Sequence, residues 1–382
     1  MKHFSYPLFR LGIVGGGQLG KMMTQKGKKM GFHVTILDPT PESPAGQVAD
    51  RQIIGDFHDE DKLKELAQSC DVVTYDLENV NTKVFKELFD KGYKIFPSPY
   101  TLEIIQDKYI QKKTLSENGI PVPEYRIVVS CEDLKAFGFP VVQKARKGGY
   151  DGRGVFVLKS EKDIENRLKG ETFIEKLINI EKELSVIVAR SPKGEIKTYP
   201  VVEMLFDERA NICNTVIAPA RIEENFLKTA KEIAIETVKV LDGIGIFAIE
   251  MFLTKEGKIV VNEVAPRPHN SGHHTIEACL TCQFEQHIRA ITDLPLGSTR
   301  QVIPAVMINL LGEEGYRGKP VIEGLTEVLS IPGVSFHFYC KKETKPFRKM
   351  GHVTVVDTDI KKAIEKAEKV KKTVKVKGEE KI

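Results

Sequence analysis

The 382-residue chain contains no tryptophan and only six cysteines, at positions 70, 131, 213, 279, 282 and 340. Cys279 and Cys282 form one CxxC, and no second pair lies at zinc-ligand spacing. The pattern therefore excludes a four-cysteine zinc site. The thiols read as reduced side chains of a cytoplasmic protein, with redox chemistry at the CxxC as the alternative. No apolar run is long enough to span a bilayer, and no signal-peptide or lipidation pattern is found, so no membrane partner is expected. An excess of one charge is lacking too. Lysine plus arginine number 57 against 53 acids, leaving +4. The signs are interspersed, which implies no nucleic acid or other polyanion as partner. Internal repeats, low-complexity segments and the Walker pattern G-x-x-x-x-G-K-[ST] are also absent. The length suits two or three domains with ample core.

The stretch 261–274, VNEVAPRPHNSGHH, is the hardest to explain as fold alone. The β-branched run 258–261 reads as a strand that ends near Asn262 and Glu263. Pro266 and Pro268 then forbid both a regular ladder and a helix. Arg267, His269, Asn270, His273 and His274 crowd this irregular segment, a composition suited to a small anion. Asn262 and Glu263 offer the hard oxygens that Mg²⁺ prefers. Glu250 interrupts the apolar run 247–252, where a carboxylate is costly unless paired or metal-bound. If 246–253 and 258–264 form a hairpin across 255–257, Glu250 and Glu263 converge on one face.

At the other end, 11–20 (LGIVGGGQLG) runs from a strand into a glycine turn. Helical spacing follows through Met22, Met23, Lys26 and Met30, then a strand at 32–37, giving a βαβ unit. Gly15, Gly17 and Gly20 satisfy G-x-G-x-x-G, and Asp38 ends the second strand about 20 residues on, as in a dinucleotide fingerprint. The physical content is broader: free N–H groups at a helix start favour any phosphate. Pro39 and Pro41 make a ribose-binding loop after Asp38 less natural. Strands are expected at 72–75 and 94–96. Asp76 and Glu78 lie either on a ligand-binding rim with Gln18 or as caps for a helix over 82–91.

A helix is expected over 101–118, then a change of unit at Pro121 and Pro123. Strands at 125–129 and 140–144 precede KARKGGYDGRG (144–154), and a strand resumes at 155–158. Strand, glycine-rich turn and strand make a basic flap over phosphates. The strand 172–175 ends in Glu175, and 184–189 follows Glu183, a candidate for ribose hydroxyls. Amphipathic helices are expected over 223–241 and 278–291. Beyond Pro304 short β segments are expected at 305–310, 325–330, 334–339 and 352–356. A basic loop at 341–352 carries Lys341, Arg348 and Lys349, which could clasp a phosphate. A helix over 360–376 and a frayed end at 377–382 complete the chain.

Five motifs, GGGQLG (15–20), YDLENV (75–80), KGGYDGRG (147–154), NEVAPRPHNSGH (262–273) and RKMGH (348–352), stand in an order that resembles the ATP-grasp superfamily. More narrowly, they are similar to the N5-carboxyaminoimidazole ribonucleotide synthetase family. The resemblance covers nearly the whole chain. It implies an α/β (α+β) architecture of three parts: a Rossmann-like unit over 1–104, an ATP-grasp unit over 105–298 with a mobile lid at about 123–190, and a small β-rich unit over 299–382.

It also implies roles. Gly17, Gln18, Leu19, Glu78, Tyr150, Asp151, Arg153, Lys341 and Arg348 would contact aminoimidazole ribonucleotide. Lys108, Lys144, the lid residues Gly149, Tyr150, Asp151, Gly152, Arg153 and Gly154, and Glu175, Lys176, Ile178, Glu183 and Glu203 would hold ATP, together with Asn262 and Glu263. Glu250, Glu263 and Asn262 would hold Mg²⁺. Arg267, His269 and Asn270 would form the bicarbonate pocket, with Asp151 or His269 as proton acceptor. The implied reaction is ATP-dependent carboxylation of the ribonucleotide through carboxyphosphate, by a homodimer. The alternatives are the formate-dependent glycinamide ribonucleotide transformylase, an NAD(P)-dependent dehydrogenase and a non-catalytic nucleotide-binding module. Three departures stand out: Asp76-Leu77 in place of Glu-Phe, Cys340 where glycine is common, and Met204 after Glu203.

Overall fold

The structure, a computed structural model, describes residues 5–128, 130–149, 154–207 and 212–382. The N-terminal part is a parallel four-stranded sheet. Its spatial order is Arg51–Ile54, His33–Asp38, Arg10–Val14, Val72–Tyr75. The chain order reverses between the last two strands. That is the switch point where open parallel sheets bind ligands, and the glycine turn and the acidic tip 76–78 flank it. The expected strand at 94–96 is reduced to a single bridge, Val73 to Ile95, before Pro97 removes the next donor.

The expected helix over 101–118 is two helices, Pro99–Gln106 and Lys108–Glu117. Asp107 breaks it. Its carboxylate caps the second helix at the N–H groups of Tyr109 and Ile110 and pairs with Arg146. A second, antiparallel four-stranded sheet follows, in the order Tyr125–Ile127, Thr172–Lys176, Val141–Ala145, Val155–Leu158. Its last two strands carry the basic glycine turn.

Among the described residues, a nine-stranded sheet is the backbone of the rest. It begins with the hairpin Gly245–Thr254 and Ile259–Ala265 and continues through Ile180–Arg190, against whose end the short strand Ile196–Thr198 also pairs, then Val202–Asp207 and Ile212–Ala218. It then crosses without a break into Ala305–Leu311, Lys349–Val356 and Val334–Phe338. The helix Glu224–Val240 packs on one face by Ala230, Ala234 and Val238, against Leu184, Val186, Ile249 and Met251.

Three more expectations are corrected. The helix expected over 278–291 is split into Thr275–Ala278 and Gln283–Ile291, because Cys279 leaves it to bridge Gln301. The segment 325–330 is a helix, Leu325–Leu329, entered from Gly324 in the left-handed region at φ 73°. The C-terminal helix ends at Thr373, and the tail is a strand, Lys375–Lys381, paired with Tyr316–Glu323. The tail is mostly charged, yet Val376 and Gly378 are buried along it, so backbone pairing and two small inward positions hold it.

Candidate active site

The hairpin forms as the sequence implies, and Glu250 stands directly opposite Glu263. Just beyond them Met251 pairs with Val261, so Asn262 is an extra residue in a bulge. In an unbroken ladder Asn262 and Glu263 would point to opposite faces; a bulge re-aims one of them. Here Lys144 Nζ donates to Asn262 Oδ1 at 2.9 Å, and Lys108 Nζ lies 2.7 Å from Glu263 Oε2. Burial and the charges of Glu263 and Glu183 push Glu250 up to about 7. Burial acts upward on Glu263 as well, but Lys108, Lys144 and Lys112 hold it below its ordinary value.

A cavity of about 590 Å³ opens beside this pair. It is lined by Glu250, Glu263, Lys108, Arg267, His269 and Asn270, with Lys147, Gly148 and Gly149 of the flap on another wall. Arg267 Nη2 pairs with Glu78 Oε1 at 2.8 Å; burial acts to lower the guanidinium, but Glu78 together with Asp76 and Glu263 raises it above its ordinary value. His269 Nε2 is 3.4 Å from Glu250 Oε1. Burial, with Arg267 and Lys349 nearby, drives His269 well below the usual histidine range, so the ring is neutral. Asn270 is fixed by a reciprocal amide pair with Asn309, each Nδ2 donating to the other's Oδ1 at 2.7 Å.

Behind the hairpin bulge, Glu175 is buried between Lys112 and Lys144, each ammonium 2.8 Å from one carboxylate oxygen. Burial alone would raise Glu175, but the two lysines bring it to about 2. Burial lifts Glu183 to about 7. By register Glu183 and Phe252 share the face of Glu250. Glu203 does not. It pairs with Leu184 on the opposite face, where Lys182 and Arg221 bind it. Lys176 is exposed and Ile178 half-buried at the end of the flap sheet. Gly154 closes the flap turn at φ 73°, and its carbonyl accepts from Ala145 N–H. Tyr150, Asp151, Gly152 and Arg153 lie outside the described residues.

The glycine turn resolves the ambiguity of Asp76 and Asp38. Asp38 Oδ2 accepts from Gly16 N–H at 2.7 Å, and Asp76 Oδ2 accepts from Gly17 and Gly20. A Cβ on Gly15, at φ 101°, would lie 1.7 Å from Asp76 Oδ1. Burial raises Asp76 to about 6 against the pull of these N–H groups and Arg267. Asn81, not Asp76 or Glu78, caps the helix Thr82–Asp90. Among the described residues no acceptor meets the N–H groups of Gln18 and Leu19, the donors left at this helix start. The Leu19 side chain is core.

The basic loop packs against the same helix. Lys21 Nζ donates to Phe338 O and lies 2.9 Å from Cys340 Sγ, and Gln47 Nε2 donates to Cys340 O. Cys340 therefore holds the left-handed turn, φ 60°, that glycine would favour. Lys341 donates to Lys349 O and Arg348 to Glu343 O within the loop. The helix that starts at Gln18 thus meets this loop through Lys21, while Gly17, Gln18, Leu19, Lys341 and Arg348 do not line the 590 Å³ cavity.

Sequence reasoning missed Lys112, Asn309 and the cavity role of Lys349. Lys112 is four residues after Lys108 and so on the same helix face, but nothing in the sequence shows that this face is buried. Asn309 is an amide within the apolar run 305–311, the same kind of signal that singled out Glu250.

Residues 8–106 match the ribonucleotide synthetase preATP-grasp domain family, 113–284 the ATP-grasp domain family, and 305–366 the phosphoribosylaminoimidazole carboxylase C-terminal domain family. Fold and site thus define an ATP-grasp protein. The N5-carboxyaminoimidazole ribonucleotide synthase of Bacillus subtilis is 41% identical, covering 92% of this chain and 93% of that one. The crystal structure of N5-carboxyaminoimidazole ribonucleotide synthetase from Thermotoga maritima superposes with TM-score 0.92 at 63% identity, covering 97% of this chain and 100% of that one. A synthase from Aspergillus clavatus in complex with ADP and 5-aminoimidazole ribonucleotide gives TM-score 0.87 at 35% identity, covering 95% and 98%. The chain spans about two thirds of the length of the plant and yeast carboxylases it matches. It belongs to the N5-carboxyaminoimidazole ribonucleotide synthetase family.

Proposed function

We propose that this chain is an ATP-dependent ligase that carboxylates 5-aminoimidazole ribonucleotide with bicarbonate. The products are N5-carboxyaminoimidazole ribonucleotide, ADP and phosphate. The observation that carries this reading is the single cavity in which the Glu250–Glu263 pair meets Arg267, His269 and Asn270. Phosphoryl transfer and anion chemistry share one space there.

Glu250, Glu263 and Asn262 would hold Mg²⁺. Two carboxylates and an amide fit an ion that takes few protein ligands and completes its shell with water and phosphate. Among the described residues no group of three or more His, Cys, Asp or Glu makes a self-sufficient metal cage. Bound there, Mg²⁺ supplies charge neutralisation at the transferring phosphoryl group.

The chain's own residues do the rest. Lys108 and Lys144 hold the nucleotide phosphates, and Glu175, Lys176, Ile178 and Glu183 its adenosine side. Glu203 faces away and would act on the nucleotide only indirectly. Arg267 and Asn270 orient bicarbonate so that its oxygen attacks the γ-phosphorus as ADP leaves. Carboxyphosphate is unstable in water, and the flap at 147–154 excludes it. The ribonucleotide is seated by Gly17, Gln18, Leu19, Glu78, Lys341 and Arg348. Its amine attacks the carboxyl carbon, the C–O bond to the phosphoryl group breaks and phosphate leaves, and the amine loses a proton to Asp151 or to the neutral His269. We also propose a cytoplasmic homodimer of three units, 1–104, 105–298 and 299–382. Among the described residues no helix is long and apolar enough to cross a membrane.

The test is ADP release from Mg-ATP with ribonucleotide and bicarbonate each omitted in turn. ADP formation should need the ribonucleotide and rise with bicarbonate. Turnover only on formate and glycinamide ribonucleotide would replace this reading with the transformylase, which the comparisons do not favour.

A further inference from the structure

Lys112 is the most enclosed cation near the cavity, with its side chain only 3% exposed. It does not line the cavity. Its ammonium lies 2.8 Å from Glu175 Oε1 and donates to the carbonyls of Val261, at 3.2 Å, and Asn262, at 2.9 Å. Lys144 completes a closed ring, reaching Glu175 Oε2 at 2.8 Å and Asn262 Oδ1 at 2.9 Å. Four residues from three elements and the hairpin bulge are thereby tied together: the helix Lys108–Glu117, the strand of Glu175, the strand of Lys144 and the bulged Asn262.

We infer that Lys112 is a positioning residue for nucleotide binding: it anchors the Asn262 bulge and takes up part of the Glu175 charge, leaving Lys144 cationic toward phosphate. The inference rests on the ATP reading of the cavity. Its physical basis is charge counting. One carboxylate shared by two ammonium groups leaves a net positive charge beside the phosphates. Without Lys112, Glu175 would neutralise Lys144 alone, and the bulge would lose the donor on its two carbonyls. A buried lysine is a costly device for fold alone, since an apolar side chain of similar length would fill the space. Lys112 touches no reacting atom and acts only through Glu175, Lys144 and Asn262.

The test uses the full chain with Lys112→Met, Lys112→Gln, Glu175→Gln and the double variant Lys112→Met/Glu175→Gln. Mg-ATP affinity is measured by calorimetry, and KM and kcat by ADP release. Wild-type binding of Mg-ATP checks the underlying reading by itself; no binding there would remove that reading before any variant is compared. Given wild-type binding, Lys112→Met should weaken Mg-ATP by about tenfold while the ribonucleotide KM moves by less than about twofold. The double variant should lose less than the product of the two single losses, because Lys112 acts through Glu175. Lys112→Gln keeps donors for the two carbonyls without the charge, so its loss should fall between wild type and Lys112→Met. A folded Lys112→Met with wild-type Mg-ATP affinity would overturn the inference. So would equal losses for ATP and ribonucleotide, or failure of both single Lys112 variants to fold, which would assign the residue to folding.

Discussion

Asp76 accepts the backbone N–H groups of Gly17 and Gly20, at 2.9 and 3.2 Å, from the tip of the neighbouring parallel strand. With Asp38 on Gly16, it fills with protein carboxylates the donors that a dinucleotide phosphate would take in this turn. The G-x-G-x-x-G spacing is met, yet the site is shaped against a dinucleotide. Calorimetry should detect no binding of NAD(P). Asp76→Asn should raise the ribonucleotide KM about tenfold, as the loop loses a charged acceptor, and leave the ATP KM nearly unchanged. An equal rise in both constants would count against a role confined to the glycine turn.

The proposed metal pair predicts a pH dependence. Glu250 is raised to about 7, so it is mostly protonated at pH 6 and mostly ionised at pH 8. A proton competes with a cation for the same carboxylate, so apparent Mg²⁺ affinity rises with pH. The rise should approach about tenfold per unit on the acid side and flatten above 7. Turnover at limiting Mg²⁺ should follow it. Glu250→Gln should remove the acid limb along with most activity; an unchanged limb would place the titrating group elsewhere.

Arg267 is held against Glu78 at 2.8 Å and faces the cavity. Arg267→Ala should cut bicarbonate-dependent turnover by about 10²–10³, the scale of removing one preorganised charge donor. Mg-ATP affinity should stay within a few-fold. Loss of nucleotide binding would show that the arginine serves the phosphates instead.

Glu175 makes a stability prediction. Its folded value, about 2, lies below the ordinary 4.5. A depressed carboxylate contributes stability above 4.5 and loses it as pH falls towards 2. Thermal melts of wild type and Glu175→Gln should therefore differ most near neutrality and converge in that acid window. A difference that stays constant down to pH 2 would mean the carboxylate is not held by its lysines.

The parts of the site legible in the sequence are those where one residue breaks a pattern. Glu250 interrupts an apolar strand, and two prolines stop the ladder after Glu263. Where the signal lies between segments, the sequence is silent. Lys112 sits in QKKTL, where any lysine looks solvated, and only the approach of Glu175 and the bulge shows otherwise. Asp107 sits inside an unbroken helical pattern, but its capping bonds and Arg146 end one helix and start another. The terminal strand Lys375–Lys381 was hidden because its partner Tyr316–Glu323 alternates half-buried and exposed positions without a strong apolar face.

The sheet that carries Glu250 runs without interruption through Ala218 and Ala305 into the strand of Lys349. A cut in the connection 292–304 would therefore not divide the molecule. The two pieces would remain joined where Ile212–Ala218 pairs with Ala305–Leu311, from Thr215 opposite Ile308 to Ala218 opposite Ala305. This makes the connection a natural place to split the chain into complementing halves, with the Glu250–Glu263 hairpin on one half and the basic loop on the other.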